Sequence, residues 1–110
     1  MLLPLALALA GCGSGNATVG GCLNNKSFLV QEQNNIVRGS SPGGVNFTLT
    51  LYPTRTAATR AHSQLPRSAS VELGDAVVDF AGNPAATPGG APGKLSRSAL
   101  ETIAACLVRP

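Results

Sequence analysis

Val45-Asn46-Phe47-Thr48-Leu49-Thr50-Leu51-Tyr52 decides the fold class. Val45, Phe47, Leu49 and Leu51 fall on one side of an extended chain and Asn46, Thr48, Thr50 and Tyr52 on the other. This period of two belongs to a strand with one face in a core and the other wet or lightly covered. Pro53 ends the run, and Thr54 is placed to cap a helix reaching about Leu65. The inward positions of that helix, Ala57, Ala58, Ala61 and Leu65, are mostly alanine. It can approach a sheet closely but buries little area.

Working outward, Ser27 to Gln31 reads as a strand, Asn34-Asn35 as a turn, and Ile36-Val37 as the start of a second extended piece. Gly39 to Gly44, GSSPGG, reads as a loop. Near the front of the domain, Val19, Cys22 and Leu23 share one face of a short helix in Asn16 to Leu23, and Asn24-Asn25 stops it. Downstream, Ser68 to Leu73 and Asp75 to Phe80 form a hairpin about Gly74, with Val71, Leu73, Val78 and Phe80 in the core. Val77 falls on the opposite face, which points to a strand partly covered on both sides. Gly82 to Lys94 is rich in Gly and Pro and reads as a loop. Ser98-Ala99-Leu100-Glu101 has the form of a capping box opening a last helix to about Leu107. Its apolar stripe is Leu100, Ile103, Ala104 and Leu107, with Cys106 beside it.

These elements, arranged α-β-β-α-β-β-α, predict a two-layer α+β domain: a mostly antiparallel sheet with helices packed on one face. A ferredoxin-like split βαβ is the nearest named architecture. The chain of 110 residues holds one such domain and not two.

The first residues, MLLPLALALAGCGSG, carry a different message. Leu2 to Ala10 is too short to cross a bilayer, which takes about 20 apolar residues, but suits the apolar part of an export signal. Leu9-Ala10-Gly11-Cys12 resembles the lipobox of bacterial lipoproteins. The resemblance covers the signal end alone. It implies cleavage after residue 11, a diacylglycerol on Cys12, residues 12–16 as lipidated start and tether, and residues 17–110 as the domain. The product would be held on a membrane of the bacterial cell envelope, facing the periplasm or the exterior, because two or three acyl chains make release negligible. Ala8-Leu9-Ala10 also fits an ordinary signal-peptidase site, which would release the chain instead.

Three cysteines are present. With Cys12 lipidated, Cys22 and Cys106 remain, far apart in sequence and lacking the paired spacing of zinc or redox sites, so a disulfide is expected in an oxidising compartment. Eight Lys and Arg against five Asp and Glu give a formal charge of +3. The basic residues are scattered, so no nucleic-acid partner is expected.

Chemistry is sparsely signalled. His62 stands alone on its helix, and Asp75 and Asp79 fit a turn and a solvent-facing strand position. A small extracytoplasmic enzyme or metal-handling protein would need these three to converge. Gly93-Lys94 lacks both ends of a phosphate-binding loop. No cofactor, no metal ligand set and no catalytic residue is assigned. The first expectation is therefore a lipid-anchored binding or assembly module, meeting an envelope partner through Asn46, Thr48, Thr50 and Tyr52 on the wetter strand face.

Overall fold

The computed structural model describes residues 18–83 and 93–108. The export segment, Cys12 and its tether, and all of the expected loop except Gly82, Asn83, Gly93 and Lys94 lie outside these residues. The elements run α1 (Val19–Asn25), β1 (Leu29–Gln33), β2 (Ile36–Ser40), β3 (Asn46–Leu51), α2 (Arg55–His62), a 3₁₀ turn (Arg67–Ala69), β4 (Ser70–Leu73), β5 (Ala76–Asp79) and α3 (Arg97–Val108). The strands make one five-stranded sheet of order β1-β2-β3-β5-β4. Every neighbouring pair is antiparallel. This is the expected α+β domain built on an antiparallel sheet.

Each hairpin follows from its turn residues. Asn34 at φ 57° closes β1 onto β2, and Gly74 at φ 66° closes β4 onto β5; both positions need the left-handed region that Asn and Gly tolerate. Between β2 and β3, the Gly44 amide donates to the Ser41 carbonyl at 2.9 Å and the Ser41 amide to the Val45 carbonyl at 3.0 Å. Gly44, at φ 85°, occupies the left-handed position of this three-residue loop. The loop is therefore shorter than the sequence suggests. Gly39 and Ser40 belong to β2, whose ladder with β3 runs from Ile36↔Thr50 to Ser40↔Asn46, so the extended piece expected from Ile36 is a full strand and three strands precede α2 where the expected order counts two.

One face of the sheet carries the core. Val30, Val37, Phe47, Leu49, Ala76 and Val78 meet Val19 and Leu23 of α1 and Ala99, Ile103 and Cys106 of α3, with Phe28, Phe80 and Leu95 closing the cluster. Cys22 and Cys106 are joined, with Cα atoms 5.7 Å apart, across 84 residues of sequence. Thus α1 and α3 are tied together over the sheet.

The expectation that the helices share one face holds for α1 and α3 and is corrected for α2. Thr59 and His62 of α2 reach Glu72, which is paired across the strands with Val77. Paired residues of neighbouring strands share a face, so α2 lies opposite the core, over β4 and β5. Val77 is only 2% exposed and Ala58 is fully buried, yet neither joins the main core cluster. The physical reason is the alanine stripe: a small apolar face fits over Val77 but cannot replace the larger residues of α1 and α3 in the core. β3-α2-β4 with β5 between them is a split βαβ. Strand order and the opposed helices nonetheless differ from the ferredoxin-like arrangement, because a β1–β2 hairpin stands where that fold would need a second βαβ unit.

The cap of α3 also moves. Ser96, not Ser98, accepts from the Ala99 amide at 3.0 Å, while Glu101 pairs with Arg97 at 3.5 Å. Ala99, Ile103 and Cys106 are the buried residues of α3, so Cys106 sits in the buried face and Leu100 and Leu107 flank it.

Candidate functional site

Because α2 packs on β4 and β5, the same side of β1, β2 and β3 is left open. The register places two cross-strand rows there. Gln31, Arg38, Thr48 and Asp79 form one row, paired in that order across four strands. Gln33, Ile36, Thr50 and Val77 form the next, which runs under α2 at Val77. Leu29 lies at the edge of the face and is 76% exposed.

Arg38 is the centre of this surface. One depression is lined by Arg38 with Gln31, Gln33 and Ile36, a second by Arg38 with Asn46, Thr48 and Asp79, and a third by Arg38 with Leu29 and Gln31. The guanidinium is exposed and forms no ion pair with a described residue. Asp79, two strands away, accepts from the Ala81 amide at 3.0 Å. A guanidinium that keeps its donors free among Gln and Thr side chains can bind carboxylates, carbonyls or hydroxyls of an approaching molecule.

The residues expected to form a binding surface are only partly gathered here. Thr48 and Thr50 are half-buried on the open face and Asn46 is exposed at its end. Tyr52 lies beyond β3, with its amide donating to the Asp75 carbonyl at 2.8 Å. Arg38, Gln31 and Gln33 were missed by the sequence reading. The available signal was the alternation of Ile36-Val37-Arg38 for Arg38 and of Leu29-Val30-Gln31 for Gln31; that of Gln33 was lost because the expected strand stopped at Gln31.

The residues of the alternative do not converge. His62 Nδ1 stands 3.6 Å from a Glu72 carboxylate oxygen, whose other oxygen accepts from the Thr59 hydroxyl at 2.6 Å. Asp75 is in the β4–β5 turn, and Asp79 is four residues on, about 13 Å along an extended chain. The buried His62 Nε2 has no hydrogen-bond partner. Among the described residues, no group of three or more His, Cys, Asp or Glu side chains is placed to hold a metal ion, and no helix is long and apolar enough to cross a membrane.

Side-chain amides finish the sheet where strands stop. Asn24 Oδ1 accepts from the Val30 amide at 3.1 Å, and its Nδ2 donates to the Val30 carbonyl at 3.2 Å. At the other end, Asn83 accepts from the Asn46 amide and donates to the Asn46 and Phe80 carbonyls, each at 2.8 Å. Each side chain stands in for a neighbouring strand. No family model matches this chain, and neither the curated proteins nor the solved structures contain a significant match to it.

Proposed function

We propose that this chain is a lipid-anchored lipoprotein of the bacterial cell envelope, and that its domain is a binding or assembly module. It meets its envelope partner through the open face of β1, β2 and β3. The observation that carries the binding role is the unshared Arg38 at the centre of a polar sheet face that α2 leaves uncovered. The Cys22–Cys106 bond supports an oxidising location, and Leu9-Ala10-Gly11-Cys12 supports the anchor.

Intact mass of the protein in the membrane fraction tests the anchor. The expected mass is that of a chain beginning at Cys12 with acyl groups and lacking two hydrogens at Cys22 and Cys106. An unacylated chain, or one starting elsewhere, overturns it. The face is tested in membranes with a photo-crosslinker at Thr48 and, as a control, at exposed Ala105 on α3. One recurrent adduct from Thr48 and none from Ala105 is expected. Equal capture from both positions, or none from either, refutes the assignment.

A further inference from the structure

We infer that α1 is a guard on the β1 edge of the sheet, held by the Cys22–Cys106 bond, and that reducing the bond lets β1 pair with β1 of a second copy of this chain. β1 is the terminal strand. Its ladder with β2 ends in the two-residue turn after Gln33↔Ile36, so Leu29, Gln31 and Gln33 direct their main-chain groups to β2, while Val30 and Glu32 direct theirs outward. An unpaired edge of this kind recruits other strands.

The guard covers that edge at Val30 and packs beside Glu32. Asn24, in the last turn of α1, takes both outward groups of Val30. The Glu32 side chain accepts from the Gly20 amide at 2.9 Å, and the Phe28 amide donates to the Leu23 carbonyl at 3.1 Å. α1 has only seven residues, too few to be stable as an isolated helix. Its covalent hold is Cys22, bonded to α3.

A dithiol reductant would open the bond by exchange. Two electrons and two protons convert the disulfide to the Cys22 and Cys106 thiols, and the reductant leaves as its own disulfide. The occupant that fits the freed edge is a second β1. Antiparallel pairing about Gln31 sets Val30 of one copy opposite Glu32 of the other, joining the outward main-chain groups of both strands and setting the two Glu32 side chains diagonally instead of directly opposite.

The test uses the full chain carrying Cys12→Ser, so that no third thiol exchanges. Amide hydrogen exchange and sedimentation are followed with the bond intact, with a dithiol added, and in Asn24→Ala with the bond intact. Reduction should speed exchange at Val30 by about tenfold or more at low concentration while β3 and β5 amides stay protected. At high concentration it should give a dimer in which the Glu32 amide becomes newly protected. Asn24→Ala should speed Val30 exchange without reductant. A reduced chain that remains monomeric with Val30 protected overturns the inference. So does equal loss of protection in every strand, or a dimer that leaves Glu32 unprotected.

Discussion

A methyl group at Gly39 would run into the Leu29 carbonyl oxygen and lie 2.7 Å from the Val30 Cα. Both atoms are backbone of the neighbouring strand, so neither can swing aside. Gly39 is paired with Val30, at the point where β1 leaves the sheet toward α1, and the close crossing requires a residue with no Cβ. Gly39→Ala should destabilise the domain by about 1–3 kcal/mol, read by denaturant unfolding, with the loss concentrated in the β1–β2 hairpin. The opposite end of the sheet depends on a polar residue instead. Asn83 is buried and saturates three main-chain groups, so Asn83→Ala should cost about 2 kcal/mol. Asn83→Asp should cost at least as much, because a carboxylate would face the Asn46 and Phe80 carbonyls that the amide now satisfies. If Asp is tolerated better than Ala in parallel unfolding curves, this account of the site is wrong.

At the scale of elements, α3 separates two readings of one sequence. Ser96 and Ser98 both precede an apolar run, and Ser98 with Glu101 has the spacing of a capping box. Ser96 makes the cap because Leu95 is drawn into the core, which starts the helix at Arg97. Ser96→Ala should therefore cost about 1 kcal/mol, whereas Ser98→Ala should stay within a few tenths; thermal unfolding of the pair decides between them. The elements that could be read from sequence were those fixed by local chemistry. Alternation gave β3, Thr54 gave the cap of α2, whose hydroxyl accepts from the Ala57 amide, and the Asn and Gly turns gave the hairpins. What could not be read was the side of the sheet α2 would take, since an alanine stripe packs against either face. The opposed helix was foreshadowed at one residue, Val77. Part of the open face was legible through Thr48 and Thr50 of β3; its centre, Arg38, was not singled out, because a loop read from Gly39 cut short the extended piece that begins at Ile36. The amide contacts of Asn24 and Asn83 bridge segments whose proximity only the finished fold provides.

For the whole molecule, location and stability are assigned to different sulfurs, and this separation can be tested. On the proposed reading Cys12, outside the described residues, holds the domain to the membrane. Cys22 and Cys106 close a loop of 84 residues' separation within the fold, for which the chain-entropy model gives about 4 to 5 kcal/mol. In a domain of this size each kcal/mol moves the unfolding midpoint by about 4–8 °C, so the double variant Cys22→Ser, Cys106→Ser should melt roughly 20 °C lower or more. It should still be found in the membrane fraction, because its anchor is intact. Cys12→Ser should do the reverse, leaving the membrane fraction while keeping the parent midpoint within a degree or two, since it leaves the described core and the Cys22–Cys106 bond unchanged. Fractionation and calorimetry on the two variants read these effects independently. A Cys12→Ser domain that melts much lower would mean that the tether packs on the fold, and a disulfide-free domain with an unchanged midpoint would mean that α1 and α3 need no clasp.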